Sequence, residues 1–194
     1  MPVVIKLGGS LAEADTLASW LATILAHGAG RAIIVPGGGV FADAVRTAQS
    51  RYGFSDQAAH RMAILAMEQY AHLLLDIAPA LVPGAGVAPL RAALAANKVA
   101  LWLPSALLES DDAIAQSWSV TSDSLAAWLA RRLEAERLVL VKSAPAPAGA
   151  DPASLAALGL VDPAFPAFAA AARCPVACCG PGETGRLAAL LALR

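Results

Sequence analysis

Twice within its first 51 residues this chain passes from a short apolar run, through a knot of glycines, into an apolar pattern of helical period. Residues 3–7 make the first run, Gly8, Gly9 and Ser10 break it, and Leu17, Trp20, Leu21, Ile24 and Leu25 then recur three and four apart. Residues 32–35 make the second run, Pro36 and Gly37, Gly38 and Gly39 break it, and a helix is expected over residues 40–51. Strands that alternate with helices in this way build a mostly parallel sheet covered by helices.

The remaining sequence continues the alternation. Ser55 is a good helix cap with Asp56 in the first turn, and the helix it starts carries an expected core stripe of Met62, Leu65, Tyr70, Leu73 and Ile77 until Pro79 ends it. Residues 83–86 read as a turn, 87–96 as a helix and 99–103 as a strand stopped by Pro104. Thr121, Ser122 and Asp123 open a helix bearing Leu125, Trp128, Leu129 and Leu133, and residues 138–141 form the next strand. Residues 143–152 hold Ala, Pro, Gly and Asp in an order too broken for regular structure, so a surface loop is expected directly after a strand. A helix over 163–172, a strand over 175–178 and a last helix from 185 complete the reading. The expected fold is α/β: a three-layer αβα sandwich around a mostly parallel sheet, with residues 1–194 as one domain.

Charge and composition narrow the partners. A net charge of -1, without basic stripes, offers no footprint for nucleic acid. The mean hydropathy of +0.60 with 15% charged residues is high for a lone soluble chain, which points to a homo-oligomer. Charges and prolines interrupt every apolar stretch before the roughly 18 residues a membrane span needs, and no signal peptide is visible, so the expected location is cytoplasmic. Cys174, Cys178 and Cys179 lack the paired spacing of a zinc site and read as reduced packing residues; no metal-binding residues are assigned.

Two glycine loops in successive units let the backbone approach an anion closely, at strand ends where helix N-termini present free amides. Neither loop is a Walker loop and neither fits the dinucleotide pattern. Lys6 stands inside an otherwise apolar strand two residues before the first loop, where its ammonium must reach the crevice or become an unpaired buried charge. Lys142 stands at the end of the strand over 138–141. Asp123 serves as a first-turn acid, and a carboxylate at the mouth of a crevice holding two lysines would also orient them. His60, early in the third helix, is either a packing residue or a ligand contact. Together these residues suit the binding of an anion such as a phosphate group.

The motifs Lys6 to Ser10, Val35 to Gly39 followed by Phe41 to Arg46, Thr121 to Ser124, and Leu138 to Lys142 resemble the amino acid kinase family, in this order and at these spacings. Residues 55–70 and the region from Trp118 to Trp128 look like its short branch that phosphorylates an aminomethylfuranyl-methanol phosphate, in methanofuran-type cofactor synthesis, to give a diphosphate. The resemblance implies ATP with Mg2+ as cofactors, and Lys6, Asp123 and Lys142 as the catalytic group. It implies Gly8, Gly9, Ser10, Lys142, Ser143 and Gly149 around the nucleotide, and Gly37, Gly38, Gly39, His60, Thr121 and Ser122 around the acceptor. Residues 160–165 lack a lysine that larger members use for the nucleotide. The same motifs suit other acceptors of the family, isopentenyl phosphate, nucleoside monophosphates or amino acids, and a non-catalytic storage protein on the same fold.

Overall fold

A computed structural model describes residues 1–13, 16–108 and 114–193. Its centre is a six-stranded, all-parallel sheet of β1 (Val3–Leu7), β2 (Ala32–Pro36), β3 (Val82–Gly84), β4 (Ala100–Trp102), β5 (Arg137–Val141) and β6 (Val176–Cys179), in the order β3-β4-β2-β1-β5-β6. The helices are α1 (Leu17–His27), α2 (Gly39–Tyr52), α3 (Asp56–Ile77), α4 (Val87–Ala95), α5 (Ser105–Leu108), α6 (Ser122–Leu133), α7 (Pro152–Ala157), α8 (Phe165–Ala172) and α9 (Thr184–Ala192), and they make the sandwich three-layered.

The strands are apolar on both faces, so period two shows only in what each residue meets. Val4, Ile33, Val35, Leu138 and Leu140 pack with Leu125, Leu129 and Leu133 of α6. Val3, Ile5, Ile34, Val139 and Val141 pack with Trp20, Leu21 and Ile24 of α1 and with Leu187 and Leu191 of α9. Lys6 therefore falls on the α6 face, two residues after Val4, and Lys142 falls on the same face, two after Leu140. In register Lys6 lies between Val35 and Leu140, and Leu7 between Pro36 and Val141. The carboxyl ends of the three central strands are thus level. The chain, after winding outward from β1 on one side through β2, crosses back from β4 to β5 on the other, so the strand order reverses between β1 and β5, which is where open α/β sheets bind ligands.

Two expectations fail. The first half of the turn expected over 83–86 is the edge strand β3, whose Pro83 is tolerated because only β4 pairs with it, and the chain bends only over 85–86. On α3 the expected stripe mostly faces outward: Met62, Leu65, Leu73 and Ile77 are exposed, and Ala59, His60, Ala66, Met67, Tyr70, Ala71 and Leu74 are buried. Both faces of α3 are apolar; the one rich in alanine lets the helix approach its neighbours closely, and the larger side chains are left outside. Ser55 caps α3 as expected, its hydroxyl accepting from the Ala58 amide. The sequence reading also misses the short helices α5 and α7 and the 3-10 turn Gly9–Glu13.

Candidate active site

Asp123, in the first turn of α6 and 5% exposed, receives both lysines. Lys6 Nζ lies 2.9 Å from Asp123 Oδ1, and Lys142 Nζ lies 2.7 Å from Oδ1 and 2.8 Å from Oδ2. Two ammoniums share one carboxylate, so one positive charge is left over in a place almost shut from water. Burial alone would raise the Asp123 carboxyl, and the charges of Lys6 and Lys142 override it and hold it below its ordinary value. Burial, together with the neighbouring charge of Lys6, lowers Lys142 to about 8 against the opposing pull of Asp123. An anion arriving here would gain the charge these three residues leave uncompensated.

Beside the cluster the two glycine loops touch backbone to backbone. A β-carbon on Gly9 would lie 2.3 Å from the Gly39 amide nitrogen, and one on Gly37 would lie 2.3 Å from that of Gly9. The glycines thus allow the loops to meet each other, in addition to the approach to an anion expected from the sequence. Gly8 donates its amide to Val141 O at 2.9 Å, tying the first loop to β5. Gly38 precedes α2 with no side-chain cap, which leaves first-turn amides of α2 without a side-chain acceptor. The hydroxyls of Ser10 and Ser143 meet at 2.7 Å across the loops that follow β1 and β5.

A cleft of about 290 Å³ opens from this point, and Lys6, Gly9, Ser10, Gly38 and Gly39 line one end of it. His60, Thr121 and Ser122 also line it. Gly8 and Gly37 sit behind, where the loops join. Gly149 does not line the cleft; it occupies an open turn with φ of +72°. His60 is buried, and burial lowers its pKa although a hydrogen bond with the Ser117 backbone acts the other way. Thr121, expected as a cap, makes no such bond to its own helix; its hydroxyl donates to Asp162 Oδ2 at 2.8 Å.

Sequence reasoning missed the far end of the cleft. The Arg46 guanidinium lies over the Trp118 ring, 4.4 Å from its centre, and pairs with Asp43 Oδ1 at 2.6 Å. Trp118 donates from Nε1 to Gln49 Oε1 at 2.6 Å, and Gln49 donates from Nε2 to Asp56 Oδ1 at 2.8 Å. Ile64, Met67, Val120 and Leu125 supply an apolar wall between the two ends. Asp43 and Arg46 lie within the quoted motif from Phe41 to Arg46, so the signal was present without a role attached.

The family model described as the amino acid kinase family matches residues 1–152. The chain belongs to the amino acid kinase family. Over 138 residues it is 29% identical to the (5-(aminomethyl)furan-3-yl)methyl phosphate kinase of Methanocaldococcus jannaschii, a match that takes in 71% of this chain and 63% of that protein, less than two thirds of its length. Among solved structures it is similar to the uridylate kinase from Archaeoglobus fulgidus, with a TM-score of 0.72 at 17% identity over 98% of this chain and 95% of that one. It is also similar to the UMP kinase from Ureaplasma parvum, with a TM-score of 0.67 at 13% identity over 98% and 94%. These structural likenesses concern the fold. Among the described residues no helix is long and apolar enough to cross a membrane.

Proposed function

We propose that this protein is a kinase that transfers the γ-phosphoryl group of ATP to a phosphate monoester and so makes a diphosphate. The observation that carries this reading is the buried cluster in which Lys6 and Lys142 share Asp123 at the level ends of β1 and β5. Its uncompensated charge, with the first-turn amides of α2, suits the spread negative charge of a migrating phosphoryl group. A phosphate monoester, with its second pKa near about 6, is already an anionic nucleophile at neutral pH and needs no general base. No group of three His, Cys, Asp or Glu side chains among the described residues could hold a metal, and Asp123 is engaged by two ammoniums. On this reading Mg2+ enters with ATP as part of the nucleotide and does not reside on the protein.

The relative from Methanocaldococcus jannaschii supports an aminomethylfuranyl-methanol phosphate as the acceptor. The apolar wall of Ile64, Met67 and Leu125 and the fixed indole of Trp118 suit a small flat ring. We assign the loop after Lys142 to the nucleotide, with Ser143 joined to Ser10 as its inner edge. The outward stripe of α3, Met62, Leu65, Leu73 and Ile77, is the surface we assign to a second copy in a homo-oligomer. The test is turnover. Full-length protein with ATP and Mg2+ is offered aminomethylfuranyl-methanol phosphate, isopentenyl phosphate and nucleoside monophosphates, and ADP and product mass are followed. Stoichiometric ADP with a diphosphate from the furan acceptor is expected. ATP binding without turnover on any acceptor would favour the storage-protein reading instead.

A further inference from the structure

Asp162 lies between α7 and α8, beyond the residues 1–152 that the family pattern covers, and is 7% exposed. Its carboxylate gathers four donors from the start of α6. Oδ2 accepts from the Thr121 amide at 3.0 Å, the Thr121 hydroxyl at 2.8 Å and the Ser124 amide at 3.1 Å, and Oδ1 accepts from the Ser124 hydroxyl at 2.5 Å. A helix opened by threonine ordinarily caps itself with that hydroxyl. Here the hydroxyl is turned away and the acceptor comes from a segment 41 residues on. A further bond, from the Ala164 amide to Ser119 O at 3.1 Å, seats the same segment against the turn before α6.

The residues that Asp162 grips, Thr121 and Ser124, flank Asp123 in sequence. Capping alone would be met by one amide bond, and the two added hydroxyl bonds fix the rotation of the first turn about the helix axis. Asp123 requires that fixing, because its two oxygens must meet ammoniums brought by two different strands within 2.9 Å. The geometry points to Asp162 as a positioning residue for phosphoryl transfer: it clasps the start of α6 so that one carboxylate reaches both lysines. This rests on the kinase reading above for its consequence in turnover, and on the clasp itself for its consequence in charge.

The groups facing Lys142 are Lys6 from β1, Asp123 from α6 and the Cys178 thiol from β6. Asp123 is the one that raises the lysine's pKa, so if the clasp loosens and Asp123 withdraws, that pKa falls. The experiment compares full-length wild type with Asp162→Asn, which cannot accept all four bonds. Side-chain NMR titration of Lys142 and the pH profile of kcat are read on each. The expected results are a Lys142 titration at lower pH than in wild type and an alkaline loss of activity displaced the same way. kcat at neutral pH should fall about 10- to 10²-fold, the scale of a catalytic group displaced by about an ångström, with the KM for ATP within about twofold. An unmoved Lys142 titration in folded Asp162→Asn, with only stability lowered, would reduce Asp162 to a cap. If that variant does not fold, Ser124→Ala removes one of the four bonds and should give a smaller shift of the same sign; no shift there overturns the proposal too. A wild type without turnover would refute the kinase reading, while the NMR titration would still decide the clasp.

Discussion

Beside the cleft, with Lys6 lining it, Lys6 and Lys142 reach Asp123 from adjacent strand ends amid backbone and buried charge; elsewhere on the cleft Arg46 and Trp118, with Gln49 behind them, meet through long side chains carried by α2 and the turn before α6. The first assembly takes its two lysines from strand parity and register, with Asp123 brought to them by the start of α6. The second rests on side chains that can be exchanged while the elements stay where they are. On the proposed reading, this separation would let the acceptor end be altered while the reaction stays the same. Substitutions at the lysine end should therefore act on turnover, and those at the far end on acceptor affinity.

The largest effect is expected at Lys6. Lys6→Ala removes the cation that both meets Asp123 and lines the cleft, and turnover should fall by at least about 10²-fold, the scale of one lost donor to transition-state charge. Near wild-type turnover in a folded variant would remove Lys6 from the mechanism. Asp123→Asn comes next. The amides at the start of α6 go to Asp162, so this variant tests charge and leaves the cap in place. Two ammoniums would be left without their shared anion, Lys142 would fall below about 8 and lose its proton nearer neutral pH, and turnover should drop with it. Removing one partner of a buried ion pair costs about 3–5 kcal/mol, so the melting temperature should fall as well, by less if Lys142 sheds its proton. Normal turnover in the fraction that remains folded would show that Asp123 is only structural.

How much of this could be seen in the sequence differs between the same two ends. Lys6 and the glycine loops announce themselves because each breaks a local rule, a charge in an apolar strand or glycines where a helix begins, whereas Asp123 is an ordinary first-turn acid and Lys142 an ordinary strand-end lysine until the fold brings them together. Even there the reason for Gly9 and Gly37 was only half visible, since their contact spans two loops 28 residues apart. Asp162 was invisible as a cap because a threonine at the helix start already explains the helix locally. The buried face of α3 was misassigned because side-chain size was taken as the mark of the core, while Ala59, Ala66 and Ala71 mark the close contact. Trp118 and Arg46 lie 72 residues apart in a chain with no periodicity to join them, and only the packing of the turn before α6 against α2 makes them neighbours.

A smaller effect is expected at the far end. Trp118→Ala removes the ring under Arg46 and the bond to Gln49, which loosens two side chains at once. The KM for the acceptor should rise about tenfold, in line with about 1–2 kcal/mol for a lost aromatic contact, while the KM for ATP should hold. If the KM for ATP rises instead, the two ends have been assigned in reverse.

The smallest effect is expected at His60, which shares features of both ends. It is buried like the lysines, yet it lines the cleft from α3 and contributes no charge at neutral pH, because burial holds its pKa below the ordinary histidine value. One ring nitrogen is committed to the Ser117 backbone, on the turn that carries Trp118, so the other, bare of a proton, can only accept. A neutral acceptor does not neutralise a migrating phosphoryl group; it bonds a donor on the acceptor molecule, equally in the ground and transition states. Such a contact changes KM and leaves kcat alone. His60→Gln keeps a side-chain donor within reach of the Ser117 backbone, so it should raise the KM for the acceptor severalfold, leave that for ATP unchanged, and keep kcat within about twofold. The effect should be flat above neutral pH, where the lowered pKa leaves the imidazole neutral. A large fall in kcat at saturating acceptor would make His60 an acid-base group and the acceptor an alcohol, while lowered stability with unchanged kinetics would return it to packing.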